Sequence, residues 1–203
     1  MKIICIGRNY AKHIAELKND VPQEPVFFLK PDSAILQKNK PFYIPDFTNE
    51  VHYEVEVLFR IGRLGKNIST KFAPRYYAEV GLGIDFTARD IQQDLKQKGL
   101  PWEKAKAFDS SAVLGAFLPI EQFEDINSIP FSLYKNGEVV QEGNTKDMIF
   151  NIDQLVAHTS KYMTLKIGDI IFSGTPEGVG KVEIGDRLQG YIGEQIMFDF
   201  MVK

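Results

Sequence analysis

The residues best equipped for chemistry lie between Val51 and Ile61, a stretch reading Val-His-Tyr-Glu-Val-Glu-Val-Leu-Phe-Arg-Ile. Val51, Tyr53, Val55, Val57, Phe59 and Ile61 are apolar, while His52, Glu54 and Glu56 fall on the alternate positions. Successive side chains of a β-strand point to opposite faces, so the pattern predicts one strand with one apolar face. The other face would carry His52, Glu54 and Glu56 in a row, the two carboxylates about 7 Å apart. Like charges that close repel unless something positive sits between them. A divalent cation is the economical answer; the plainer account is the solvated face of an antiparallel sheet. Asp85 adds a third carboxylate, at the end of an apolar strand and just before a capped helix. Three carboxylates without a soft ligand select Mg²⁺, Mn²⁺ or Ca²⁺. Asp85 also has a simpler reading, as an acid at the positive end of a helix dipole, and Asp90 is assigned that role.

Three further groups bear chemistry. His13 and Glu16 lie three residues apart, on one face if Ala11–Leu17 is helical. Glu16 would then orient the imidazole as a base for activating water, or the two form an exposed surface pair. Lys104 and Lys106 are candidate cations for a developing enolate, or ordinary surface lysines. The Ser173-Gly174-Thr175-Pro176-Glu177-Gly178-Val179-Gly180 loop follows an apolar strand. Its glycines permit close backbone approach, and the Thr175 hydroxyl can bind a carboxylate. It lacks the Lys-Ser/Thr ending of a phosphate-binding P-loop.

Many short strands must position these groups. Strands are predicted at Lys2–Ile6, Val26–Leu29, Val51–Ile61, Val80–Phe86, Ala112–Leu118, Phe131–Tyr134, Glu138–Gln141, Ile170–Ser173, Arg187–Tyr191 and Gln195–Val202. Asn136-Gly137 predicts a two-residue hairpin turn. A helix over Thr87–Lys98 would be capped by Thr87, with Asp90 completing the capping box and Gly99 as its stop. Another over Asn151–Tyr162 would be capped by Asn151. Asn19–Pro25 and Lys38–Asn49 read as loops. The sum is a β-dominated α+β fold, a curved sheet system or roll with a few short helices.

A chain of 203 residues suits one domain, residues 1–203, with a full core. A net charge of -3 offers no basic face for nucleic acid or anionic membrane. Cys5 is the single cysteine, which excludes an intrachain disulfide and a cysteine-based zinc site. The short apolar start and the lack of a long apolar run predict a soluble protein of the cytoplasm.

The order of these motifs along the chain resembles the fumarylacetoacetate hydrolase family. Gly7-Arg8-Asn9-Tyr10 precedes His13 and Glu16; Phe28-Leu29-Lys30-Pro31, His52-x-Glu54-x-Glu56 and Asp85-Phe86-Thr87-Ala88-Arg89-Asp90 follow, then Lys106 and Gly174-Thr175-Pro176-x-Gly178-Val179-Gly180. Gly99-Leu100-Pro101-Trp102 and Met148-Ile149-Phe150 match the short, single-domain branch, which contains acylpyruvases and oxaloacetate decarboxylases or tautomerases. Ser173 and Phe86 depart from the usual residues, outside the ligand set.

The resemblance implies a β-rich roll, usually a homodimer, with Mg²⁺ or Mn²⁺ held by Glu54, Glu56 and Asp85. It implies a His13–Glu16 dyad on a lid within residues 1–20, and Lys106 rather than Lys104 as the catalytic lysine. Arg8, Tyr10, Lys30, Arg89, Gln92, Gly174 and Thr175 would contact the substrate's carboxylate or oxo groups. The leading expectation is metal-dependent cleavage of a C–C bond in acylpyruvate-like β-dicarbonyl acids, with His13 activating water. The alternatives on the same metal site are oxaloacetate decarboxylation or tautomerisation and hydroxymuconate-type isomerisation. A remote alternative is capture of 2-oxo acids without turnover.

Overall fold

Apolar strands, paired mostly antiparallel, build three sheets in the computed structural model, which describes residues 1–16, 20–38 and 40–203. The first half of the chain runs β1 (Ile3–Gly7), α1 (Ala11–Glu16), β2 (Val26–Lys30), β3 (Val51–Tyr53), β4 (Val55–Ile61), β5 (Tyr77–Asp85), β6 (Thr87–Ala88) and α2 (Arg89–Lys98). The second half runs α3 (Glu103–Lys106), β7 (Ala112–Pro119), β8 (Pro130–Lys135), β9 (Glu138–Asn144), α4 (Ile152–Tyr162), β10 (Ile170–Phe172), β11 (Gly180–Lys181), β12 (Arg187–Ile192) and β13 (Gln195–Met201). The fold is the expected β-rich α+β class. Leu17, Asn19 and Asn39, at the edges of expected elements, lie outside the described residues.

The central sheet has the order β2-β1-β10-β4-β5-β7, antiparallel except for the β1–β10 pair. Its faces are both buried. Ile4, Ile6, Val57 and Phe59 join the main core with residues of β8, β12, β13 and α4. Ile3, Cys5, Leu58 and Phe172 form a second apolar layer on the other side. The four-stranded sheet β13-β12-β8-β9 closes over the main core. Its β8–β9 hairpin turns at Asn136-Gly137, whose φ values of 57° and 87° are those a two-residue type I′ turn requires. In α4, Asn151 accepts from Gln154 N–H and the Gln154 side chain returns a bond to Asn151 N–H, completing a capping box.

Three expectations are corrected. The stretch Val51–Ile61 is not one strand: it breaks at Glu54, with β3 pairing β11 and β6 while β4 pairs β10 and β5. The cause is local. Val55 N–H donates to the Gln141 side chain at 2.9 Å, and Glu54 C=O accepts from Asp85 N–H at 2.9 Å. His52 therefore leaves the carboxylate row and pairs with Glu50 at 2.9 Å. Nor is the polar face of β4 solvated, since Glu56 and Leu58 are both buried. Thr87 is likewise not a helix cap. It sits in β6 opposite His52, α2 starts at Arg89, and Ala88 at the cap position supplies no side-chain bond. Asp90 fills that gap, accepting from Ile91 N–H at 2.8 Å and Asn49 N–H at 3.0 Å. At the other end Gly99 adopts φ 63°, the left-handed stop.

Candidate active site

The break at Glu54 brings three acids together. The β4–β5 register sets Val55 against Ile84, so Glu54 and Glu56 project beside Asp85 at the end of β5. One carboxylate oxygen of each lies within 4.8 Å of the others, and all three residues are buried. The cluster is not short of positive charge. Lys106 Nζ donates to Glu54 Oε2 at 2.8 Å, to Asp85 Oδ2 at 2.7 Å and to Thr87 Oγ1 at 2.6 Å. Arg89 bonds Glu54 Oε1, and Lys30 Nζ stands 2.8 Å from Asp85 Oδ1. Repulsion between the glutamates therefore did not by itself demand a metal, because lysine and arginine also answer it.

The electrostatics divide the three acids. Burial works to raise the Glu54 carboxyl, but the Lys106 and Arg89 charges overcome it and hold Glu54 well below the usual range. Glu56 goes the other way: burial, then the Asp85 and Glu54 charges, push it well above the carboxylate range. Only Gly174 N–H, at 2.6 Å from Oε2, and the more distant Lys106 oppose that rise. Burial would strip Lys106 of its proton, yet Asp85 and Glu54 raise its affinity above that of an ordinary lysine. Asp85 Oδ1 is buried and, although Lys30 is close, accepts no aligned hydrogen bond among the described residues. An under-bonded Oδ1 beside a Glu56 that resists ionisation fits a buried cation held by oxygen ligands alone. The residues present therefore fit a divalent metal of the hard class.

His13, Arg8, Arg89, Gln92, Lys106 and Thr175 line the same cavity as the three acids. Its open space is about 460 Å³, solvent side included. His13 Nδ1 lies 3.2 Å from Glu16 Oε2, so the predicted dyad forms, and Glu16 Oε1 accepts from Gly178 N–H at 3.2 Å. Glu16 thereby ties α1 to the glycine loop. Burial lowers the His13 pKa below the ordinary histidine value, against the opposing pull of Glu54 and Glu16. Of the two candidate lysines, Lys106 is buried and Lys104 exposed.

Three expected substrate contacts lie elsewhere. Lys30 is sealed beneath Asp85, bonded to Phe86 C=O at 3.2 Å, to Ser111 C=O at 3.0 Å and to Lys106 C=O. Tyr10 lines a separate depression with Glu142, Asp147 and Pro176, its hydroxyl buried without a partner among the described residues. Gly174, at φ 100°, serves Glu56 through its N–H rather than facing the cavity.

Sequence reading missed two buried amides that brace these loops, and also Lys96, which lines the cavity beside Arg89 and Gln92. Gln141 accepts from Val55 N–H and donates to Thr175 Oγ1 at 2.9 Å and Pro176 C=O at 3.1 Å. Asn9 donates to Ser173 C=O at 2.8 Å and Phe150 C=O at 3.0 Å. Neither amide has a local signal, because its partners lie far along the chain. Lys96 had one: Arg89, Gln92 and Lys96 recur at i, i+3 and i+7, one face of α2.

A buried three-carboxylate centre that could hold a divalent metal, displayed by a curved, mostly antiparallel sheet beside a histidine–glutamate pair, is the kind of site an enzyme carries. The model of the fumarylacetoacetate hydrolase C-terminal family matches residues 2–197, and the chain belongs to that family. It is 42% identical over 201 residues to a mitochondrial oxaloacetate tautomerase of Bos taurus, covering 99% of this chain and 91% of that one. An oxaloacetate tautomerase of Escherichia coli is 44% identical, covering 92% of this chain and 86% of the relative. A mitochondrial oxaloacetate decarboxylase of Dictyostelium discoideum is 39% identical, covering 100% and 94%. The crystal structure of fumarylpyruvate hydrolase from Pseudomonas aeruginosa in complex with Mn²⁺ and pyruvate superposes with a TM-score of 0.94 at 35% identity, covering 100% of this chain and 89% of that one. The chain is accordingly an enzyme. No helix among the described residues is long and apolar enough to cross a membrane.

Proposed function

We propose that this chain is a divalent-metal-dependent enzyme of small 2-oxo diacids, interconverting the keto and enol forms of oxaloacetate. Loss of CO₂ from the same substrate is its companion activity. The observation that carries this reading is the His13 imidazole, held through Nδ1 by Glu16 and sharing one cavity with three buried carboxylates and the cations Arg8 and Arg89. The names of the relatives at 39–44% identity support it over acylpyruvate cleavage, the leading expectation from sequence.

Glu54, Glu56 and Asp85 would hold Mg²⁺ or Mn²⁺, which when bound supplies the charge that polarises the 2-oxo group. Near neutral pH His13 is a free base, and with Nδ1 engaged by Glu16 its Nε2 is the nitrogen left to take a proton from C3. The same proton returns to the C2 oxygen, so the tautomers interconvert without net loss. Thr175 Oγ1 already accepts from Gln141, which leaves its hydrogen free to donate to the substrate's carboxylate. Lys106 stays protonated and places a fixed positive charge beside the metal ligands. On this reading residues 1–203 act as one catalytic unit, in a cytoplasmic homodimer whose mass light scattering reads.

A second reading, C–C bond hydrolysis, is favoured by the dyad itself, since tautomerisation needs one base and no water. The test is a parallel assay with Mg²⁺ or Mn²⁺ of enol absorbance and pyruvate release from oxaloacetate, and of acetylpyruvate cleavage, on the native chain and His13→Ala. Rapid loss of enol absorbance that His13→Ala slows supports the proposal. Acetylpyruvate cleavage outpacing any action on oxaloacetate would move the assignment to the hydrolase. Metal-dependent ligand binding with no turnover of either substrate would leave a 2-oxo acid binding protein.

A further inference from the structure

Nearly every buried cation near the catalytic cavity has an acidic partner. Lys106 bonds Glu54 and Asp85, Arg89 bonds Glu54, and Lys30 abuts Asp85. Arg8 and Lys96 are the exceptions: both line the cavity, and among the described residues neither forms an ion pair or a side-chain hydrogen bond. Arg8 holds its backbone at φ 59°, in the left-handed region where a non-glycine residue is strained, and its Nε is buried without a partner. Strain of that kind persists where the surrounding structure imposes it, and it gathers at ligand clamps. Lys96 lies half-buried with Nζ 5.5 Å from the centroid of Trp102. Burial, then the Arg89 and Arg8 charges, bring its pKa down to about 8. Gln92 Oε1 accepts from Arg89 at 2.7 Å, which turns its amide NH₂ away from that arginine.

We propose that Arg8 and Lys96, with the Gln92 amide, form an anion subsite that takes the distal carboxylate of a four-carbon 2-oxo diacid whose other end lies over the three acids. This deepens the function proposed above and rests on it for the identity of the reactive end. The chemistry is selective: a neutral acyl group offers nothing to two unpaired cations, whereas a carboxylate satisfies both through charge-assisted hydrogen bonds. An anion there would also offset the charges of Arg89 and Arg8 that bear on Lys96. The plainer account makes Lys96 a surface lysine resting its stem on Trp102. Lys96→Met separates the two, since it keeps the stem and removes the charge.

The probes are malate and lactate, unreactive 2-hydroxy acids alike at the head and different in the distal carboxylate. Calorimetric titration of each into the Mg²⁺-loaded protein reads the subsite without turnover. The expected result is malate binding at least about tenfold tighter than lactate in the native chain, the scale of one charge-assisted contact. Lys96→Met cuts that ratio to below about twofold with lactate affinity unchanged, and Lys96→Arg restores it. In the assay of oxaloacetate, KM rises by a similar factor in Lys96→Met. Equal affinity for malate and lactate in the native chain, or a preference that survives Lys96→Met, overturns the subsite. A native chain that prefers malate yet converts no oxaloacetate would sink the proposed reaction and leave the subsite standing.

Discussion

Replacing Lys106 by Met tests the electrostatic account of the centre most directly. The ammonium is almost wholly buried and bonds two of the three acids at 2.7 and 2.8 Å. Its removal leaves Glu54 with Arg89 alone, Asp85 with a poorly aligned Lys30, and Glu56 with one backbone N–H. Breaking a buried ion pair in this way costs about 3 to 5 kcal/mol. For a chain of 203 residues that lowers the Tm of metal-free protein by about 6 to 20 °C. The remaining partners of Glu54 and Asp85 put the expected loss in the lower half of that range.

The pH dependence follows from the same charges. Without Lys106 the folded carboxylates bind protons more tightly than the unfolded ones. The loss is then full at pH 8 and shrinks as pH falls through their raised pKa values, where protonation removes the repulsion. A divalent ion also removes it. Saturation at a hundred times Kd stabilises by about 2.7 kcal/mol, and the variant, one positive charge poorer at the site, gains more than the native chain does. Differential scanning calorimetry of both proteins at pH 6 and 8, with chelator and with Mn²⁺, measures all four quantities. A metal-free variant melting within about 2 °C of native, the shift of 1 kcal/mol or less, would refute the argument. So would a metal rescue no larger than that of the native chain.

Outcomes for four other variants follow from the geometry. His13→Ala should lower turnover by about 10²- to 10⁴-fold. In the native chain the acid limb of kcat/KM should fall at a pH below the ordinary histidine value. Glu16→Gln should move that limb lower still, because Glu16 raises the His13 pKa; a limb that stays put would count against the dyad. Gly174→Ala forces a Cβ to within 2.8 Å of Asn9 Cβ at a φ of 100° and misaligns the N–H on Glu56. Mn²⁺ affinity by calorimetry should then weaken about tenfold, as for other lost supports of metal ligands, and an unchanged Kd would argue that Gly174 does not set Glu56. Gln141→Leu strips Val55 N–H of its acceptor and frees Thr175. Denaturant titration should show a loss of about 1 to 3 kcal/mol, with KM for the 2-oxo acid raised more than kcat falls; an unaltered KM would detach Thr175 from the substrate.

Most of the strands, the Asn151 cap of α4, the Asn136-Gly137 turn and the Gly99 stop were legible because each rests on residues adjacent in the chain, whereas the Gln154 half of the α4 capping box was not foreseen. The acid triad was legible by type and spacing, but repulsion between its members does not by itself demand a metal, because Lys106 and Arg89 also neutralise it. Their distance in sequence from Glu54 hides the pairing. The break at Glu54 was illegible for the same reason, since the acceptor for Val55 N–H is Gln141 in another sheet. Lys30 and Tyr10 belong to the right motifs, yet one is sealed under Asp85 and the other faces a neighbouring depression.

Local pattern alone thus determined the elements, the class of fold and the kinds of side chain available for chemistry, because periodicity, caps and turns are short-range properties of the backbone. Which of those side chains meet, which stay charged and which cations go unpaired was decided only by the tertiary structure. Burial and Coulomb interactions act through space, and it is the folded sheets that bring Arg8, Glu54, Asp85, Lys96 and Lys106 to one cavity.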